Sequence, residues 1–408
     1  MYRNSLVNKI GKFDFLRVKK YKGSVYRNSI LLNSISLQPK NSKMALNCGI
    51  IGLSNSGKTT LFNCMSHTKA QVTDFAFGSS KSNVGIINVP DDRLYVLEKM
   101  VKAIKVVHAT VEIVDIPGLT KGSSKGEGVG NSFLADIRQT DALIHVLRCF
   151  DNPALPHIEG SVNPVRDKEI IDLELQIKDL EQIEKKIQRV EKAVRIGEKD
   201  AKKHLEVLMK YKNHLESFQS ARSLDVSEED KKVVKDLCLL TEKPMMFVCN
   251  VDDDSAVKGN KYSAAFMESV KNENVEVLVI AGKIEAEISE LENIDDRKAF
   301  LQELGLTEPG VNKLIQAAFR SLKLQTFFTA GPKEARAWTI HSGMSAPQAS
   351  GVIHSDLERG FIRAEVMKYD EFVALGSEQA CKEKGKLYVE GKNYIVQDGD
   401  ILNIRFNV

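Results

Sequence analysis

Gly52-Leu-Ser-Asn-Ser-Gly57-Lys58-Thr59 sets two glycines, a lysine and a hydroxyl at the spacing G-x(4)-G-K-[ST]. An apolar run, Ala45–Gly52, precedes it and a helical stretch, Lys58–His67, follows. In that setting the glycines let the backbone curl so that successive N–H groups point inward at phosphate oxygens. Lys58 brings a point charge to a β/γ-phosphate pair, Thr59 offers its hydroxyl to Mg²⁺, and the helix start adds its dipole. The chemistry is that of a nucleotide site.

Two further constellations belong with it. Asp115-Ile-Pro-Gly118 closes the apolar run Val111–Ile116, about 60 residues on, where a carboxylate can hold Mg²⁺ through water and the Gly118 N–H can sense a γ-phosphate. Five glycines between Gly118 and Gly130 predict a mobile loop. Asn250-Val251-Asp252-Asp253 ends a third apolar run, Met245–Cys249, and fills the place of a base-reading loop. It keeps the Asn and Asp of the guanine-reading N-K-x-D pattern but has Val251 where Lys stands. A capped loop of aspartates is the alternative.

These residues need a sheet behind them. Ala45–Gly52, Val84–Val89, Val111–Ile116, Ala142–Leu147, Pro244–Asn250 and Val275–Ala281 read as strands. Helical stretches at Lys58–His67, Asp91–Ile104 and Gly310–Leu322 alternate with them. That alternation predicts a doubly wound, mostly parallel α/β sheet. Between residues 164 and 240 the period changes. Leu173, Leu180, Ile187 and Val194 recur every seven residues with Ile183 and Val190 between them, and Leu208, Tyr211, Leu215 and Phe218 repeat the spacing beyond Gly197. The pattern predicts two antiparallel helices forming a short coiled coil inserted into the α/β domain. From Leu324 the helix–strand alternation stops. Thr326–Thr329, Ala337–Ile340, Phe361–Met367, Asn393–Val396 and Ile401–Phe406 read as short strands of a separate α+β domain. The expected division is 44–163 with 241–323, the insertion 164–240, and 324–408.

With 408 residues, and roughly 100–200 residues per domain, two to three domains are expected. The net charge of +3 hides an asymmetry, because residues 1–43 alone carry +9 and leave −6 for the rest. That extension is basic, rich in Ser and Asn, and is assigned no fold. A transit peptide, a disordered arm touching RNA phosphates and a stretch foreign to the native chain all fit it. Apolar runs fall well short of the ~20 residues a membrane span needs. The six cysteines are scattered, without metal-site spacing. Secretion, membrane insertion and a disulfide scaffold are excluded, and a reducing, cytoplasmic setting is expected.

From Gly52–Thr60, Asp115–Asn131, His145–Phe150, Phe327–Gly331 and Tyr394–Asp400 the chain resembles YchF, the Obg-like ATPase family. Lys121-Gly122-x-x-x-Gly126-x-Gly128-x-Gly130 is the most specific of these stretches. The resemblance spans Met44 to Val408. It implies a P-loop NTPase domain, an inserted helical coiled coil and a C-terminal TGS domain of ubiquitin-like (β-grasp) fold. It further implies a cytosolic, Mg²⁺-dependent ATP hydrolase that binds ribosomes, acts in translation or stress response, and prefers ATP to GTP. Residue by residue, Asn55, Ser56, Gly57, Lys58, Thr59 and Thr60 would wrap the triphosphate, and Thr59, Ser79 and Asp115 would serve the metal. Asn250, Val251 and Asp253 would meet the base.

Five positions depart from the family. Ser79 stands where the family has a switch threonine, Ser80-Lys81-Ser82 replace Ile-Glu-Pro, and Asp253 replaces a glutamate. The shorter carboxylate keeps a GTPase reading open. At the position where Ras-like enzymes use a water-orienting Gln this chain has Leu119, which cannot hydrogen-bond. By resemblance His157, in Asn152-Pro-Ala-Leu-Pro-His157, takes that role, whereas His145 inside a strand run reads as core. Large-subunit or RNA contact could fall on Arg195, Lys199, Lys202 and Lys203 or on Lys333, Arg336, Arg359 and Arg363. A ribosome- or RNA-binding module with incidental hydrolysis is the competing reading. No motif speaks to oligomeric state.

Overall fold

The computed structural model describes residues 46–66, 72–73, 83–117 and 129–407. The basic extension, Ser79 with its neighbours, Gly118, Leu119 and most of the Gly-rich loop lie outside the described residues. In chain order the strands are β1 (Asn47–Ile51), β2 (Val72–Thr73), β3 (Asn83–Asn88), β4 (Lys105–Val107), β5 (Thr110–Asp115), β6 (Ala142–Cys149), β7 (Met245–Val251) and β8 (Val277–Ile280). Five more follow: β9 (Leu324–Ala330), β10 (Glu334–His341), β11 (Phe361–Lys368), β12 (Tyr388–Glu390) and β13 (Asp400–Phe406). The first helices are α1 (Lys58–Ser66), α2 (Asp92–Val101), α3 (Val129–Gln139), α4 (Pro164–Arg195) and α5 (Ala201–Glu216).

Among the described residues one sheet runs β2-β3-β5-β1-β6-β7-β8. Pairings from β5 through β8 are parallel, while β3 runs antiparallel to β5 and β2 to β3. Every residue of β1, β6 and β7 is buried, as expected of strands covered by helices on both faces. Ile50, Leu61, Phe62 and Val146 lie in the core of one face, and Ile51, Phe133, Leu147 and Phe247 in that of the other.

The inserted hairpin forms as its periodicity predicts, with two exceptions. Ile183, Ile187, Leu208, Tyr211 and Leu215 share one core between α4 and α5. Leu173, however, is 42% exposed and Phe218 is 72% exposed. At its base α4 lies on the sheet before it meets α5, so Ile171 and Leu175 are the residues turned into the core. Phe218 falls past the end of α5 in a left-handed turn. The chain between 221 and 242 then folds back, adding Ala221, Val234 and Leu239 to the hairpin core. Asp179, fully buried on α4, accepts from the Leu240 N–H (2.8 Å) and from the N–H and Oγ1 of Thr241 (both 2.7 Å).

A second sheet, β12-β11-β13-β9-β10-β4, carries the C-terminal residues. Its outer strand β4 comes from between α2 and β5, so a boundary at 324 cuts across a hydrogen-bonded sheet. Arg93 on α2 fastens the same junction. Its guanidinium reaches Asp91 (2.8 Å) and Asp398 (2.7 Å) and lies over the Phe328 ring. Asn393–Val396, expected as a strand, contributes only a bridge between Ile395 and Ser345. Short helices at Ala346–Ile353, Ser355–Arg359, Tyr369–Leu375 and Glu378–Glu383 fill segments between the strands. No helix of the described residues is long and apolar enough to cross a membrane.

Asp179→Ala leaves two buried backbone donors without acceptors, each costing about 1–3 kcal/mol. We therefore expect roughly 3 kcal/mol less unfolding free energy in urea. An unchanged midpoint and slope would contradict the anchoring of the hairpin base on Asp179.

Candidate functional site

The Gly-rich loop connects β1 to α1 and is shaped by what surrounds it. Gly52 has φ +150 and Gly57 φ +98, both outside the range of ordinary side chains. A Cβ on Gly52 would fall 2.4 Å from the Val146 carbonyl oxygen, and one on Gly57 would fall 2.1 Å from Asn250 Nδ2. Asn55 takes the left-handed conformation (φ 64), which Asn tolerates best among residues with a Cβ. The loop therefore curls tightly against β6 and the end of β7, and α1 begins at Lys58.

Lys58 folds back over this curl. Its Nζ donates to the Leu53 carbonyl at 2.8 Å, and the residue is 7% exposed. Burial lowers its pKa to about 8, with the Asp115 charge opposing the shift. Thr59 Oγ1 donates to Asp115 Oδ2 at 2.9 Å, joining the helix start to the end of β5. Burial raises the Asp115 pKa, opposed by the Thr59 hydrogen bond and then by the Lys58 charge. Asp115 Oδ1 and Ser56 Oγ are buried and have no hydrogen-bond partner among the described residues. Unpaired oxygens beside a buried ammonium fit an incoming phosphate and a hard divalent cation, which takes oxygen ligands. Asn55, Thr59 and Thr60 stand exposed on the outer side of the loop and first helical turn.

Asn250 joins the end of β7 to the phosphate loop. Its Nδ2 donates to the Ser56 carbonyl (2.9 Å) and its Oδ1 accepts from the Gly282 N–H (2.9 Å), beyond β8. Val251 is 3% exposed and its side chain lies in the core of the sheet, so only its backbone can meet a base. Asp253 is half-exposed, and its Oδ2 pairs with Lys283 Nζ at 2.6 Å. Lys283 was missed in the sequence. Its signal was Gly282-Lys283 at the start of a helix directly after an apolar strand.

The two histidines take different places. His145 is fully buried in β6 beside Phe247. Neither ring nitrogen has a hydrogen-bond partner among the described residues, and burial holds its pKa near about 3, so it is a neutral core residue. His157 Nδ1 accepts from the Glu159 N–H (3.1 Å), so the ring proton sits on Nε2, which donates to Asp167 Oδ2 (2.9 Å). Both side chains of the pair are nearly inaccessible, at 4% and 3%. The expectation that His157 accepts a hydrogen bond from water is not met in this arrangement, because both nitrogens are committed elsewhere. Arg148 braces the same loop through the carbonyls of Phe150 (3.1 Å) and Leu155 (2.7 Å). Sequence reasoning had no signal for this brace.

Sheet order, glycine curl, buried lysine and strand-end carboxylate together define a P-loop nucleotide hydrolase. A family described as 50S ribosome-binding GTPase matches residues 47–251, and the YchF-GTPase C-terminal family, described as of unknown function, matches 324–407. The ribosome-binding ATPase YchF of Bacillus subtilis is 48% identical over 90% of this chain and 100% of its own length. The Escherichia coli O157:H7 protein of the same name is 46% identical over the same shares. A solved structure, the Schizosaccharomyces pombe YchF GTPase, superposes with a TM-score of 0.79 at 31% identity, covering 90% of this chain and 99% of that one. The chain belongs to the YchF family.

The depressed Lys58 pKa has a definite sign. Burial penalises the ammonium, so the nucleotide-free fold gains stability as pH rises through about 8 towards the unfolded value of 10.5. Phosphate binding calls for the ammonium, so nucleotide affinity falls as pH rises above 8, by up to about tenfold per pH unit. Competition titrations between about pH 7 and about pH 9.5 should show this loss. A flat profile would contradict the burial of Lys58.

Proposed function

We propose that the protein is a Mg²⁺-dependent ATP hydrolase that works as a slow conformational switch on the large ribosomal subunit, in the cytoplasm. The observation that carries the reading is the Thr59–Asp115 hydrogen bond beside buried Lys58, with the other Asp115 oxygen buried and unpaired among the described residues. The relatives' names supply the base and the ribosome. Mg²⁺, when bound, supplies neutralisation of the phosphate charge. Thr59 and Asp115 would hold it, Ser79 joining them from the first switch segment. Ser56, Gly57, Lys58 and the neighbouring Asn55 and Thr60 would bind the triphosphate, and Asn250, Val251 and Asp253 the base. With Leu119 unable to align water, His157 is the group proposed to do so. It must first leave Asp167 and the Glu159 N–H, which suits a hydrolase that is slow until something opens that loop.

For ribosome contact the hairpin tip is better suited than the C-terminal sheet. Arg336, Arg359 and Arg363 pair with Glu334, Asp356 and Glu365, and Arg336 also stacks on Trp338. At the tip, Arg195, Lys199 and Lys202 have no ion pair among the described residues, whereas Lys203 pairs with Glu229. Ile196 between them is 81% exposed. Unpaired cations around an exposed apolar side chain suit ribosomal RNA phosphates.

Phosphate release from MgATP, followed with and without ribosomes, tests the reading. The wild type should hydrolyse ATP, and His157→Ala should slow release by at least about tenfold with nucleotide affinity unchanged. Undetectable release from the wild type with ribosomes present would overturn the hydrolase reading. Full activity in His157→Ala would leave the histidine a purely structural brace.

A further inference from the structure

Asp253 heads the loop where a guanine-binding enzyme keeps its reading carboxylate, and it does not stand free. Its Oδ2 lies 2.6 Å from Lys283 Nζ. Lys283 follows Gly282, whose N–H donates to Asn250 Oδ1, so one clasp places both members of the pair. The two residues come from the ends of neighbouring strands, β7 and β8. In open α/β sheets ligands lie in the crevice outside those carboxyl ends. Pairing with Asp253 and proximity to Glu287 (3.9 Å) keep the lysine charged.

We propose that Asp253 and Lys283 act together as the base reader, and that Lys283 turns a guanine-type carboxylate into an adenine-selective pair. The inference rests on the ATP reading above. A carboxylate only accepts hydrogen bonds and an ammonium only donates them. Guanine presents two adjacent donors, N1–H and the N2 amine, and a free carboxylate satisfies both with its two oxygens. With Oδ2 already accepting from Lys283 Nζ, a guanine donor on that oxygen must share its acceptor with the lysine, and the bond is weakened. Adenine presents a donor, the N6 amine, beside an acceptor, N1. A bare carboxylate repels N1, whereas the pair offers Asp253 to the amine and Lys283 to N1. The lysine thus weakens an interaction for the competitor and adds one for adenine, the two routes by which specificity arises.

Stability does not account for the contact. Lys283 is 72% exposed and Asp253 40% exposed, and pairs so open to water contribute little to folding. The same exposure means that Lys283→Met should fold as the wild type does.

The experiment is competition of ATP and GTP, each with Mg²⁺, against a fluorescent nucleotide on the full chain. The wild type should prefer ATP by tenfold or more. Lys283→Met should shift the ratio towards GTP by at least tenfold, Lys283→Arg should keep most of the ATP preference, and Asp253→Ala added to Lys283→Met should abolish the gain for GTP. A Lys283→Met ratio within twofold of an ATP-preferring wild type would overturn the proposal while the ATP reading stands. A GTP gain that survives loss of Asp253 would overturn it as well. Preference of the wild type for GTP would instead remove the ATP reading on which it rests.

Discussion

One side-chain amide holds the nucleotide site together. Asn250, 5% exposed at the end of β7, bonds to the Ser56 carbonyl and the Gly282 N–H, and it occupies the space a Cβ on Gly57 would need. Three distant stretches of chain converge on that group: the phosphate loop, the end of β7 and the turn after β8. Buried amides are costly to leave unpaired, so the glycine, the asparagine and the turn constrain one another. The curl that gathers backbone N–H groups and the position of Lys283 both follow from this contact.

Around the clasp the fold ties the site to its two appendages. Thr59 and Asp115 join α1 to β5, and the residues just before β5 form β4, which completes the C-terminal sheet. Arg93 pins α2 to the Asp398 turn of that sheet. On the other side the hairpin leaves the NTPase sheet between β6 and β7. Its first helix carries Asp167, the partner of His157, in the opening turn and Arg195 in the last. At 1.5 Å per residue those positions are some 40 Å apart on one continuous helix. The tip and the hold on the histidine therefore belong to one continuous helix.

Much of this was legible in the sequence because its signals are local. The phosphate loop, the strand-end Asp115, Asn250, the heptads of the hairpin and the burial of His145 all follow from spacing or from an apolar run. What was missed depends on long-range pairing. β4 is three residues long and becomes a strand only because β10 lies beside it. Leu173 keeps the heptad but turns outward, because α4 packs on the sheet there through Ile171 and Leu175. Lys283 is unremarkable until Asp253 is found next to it. His157 comes from the family resemblance, and its tie to Asp167 in the opening turn of α4 has no signal in that stretch.

The most direct test of the account is the nucleotide affinity of Asn250→Ala, measured for ATP and GTP on protein shown to be folded. Because the amide organises the phosphate loop and the base loop together, affinity for both nucleotides should fall by at least about tenfold, or 1.4 kcal/mol. Retained affinity, or a loss confined to one base, would contradict the claim that this one side chain holds the site together.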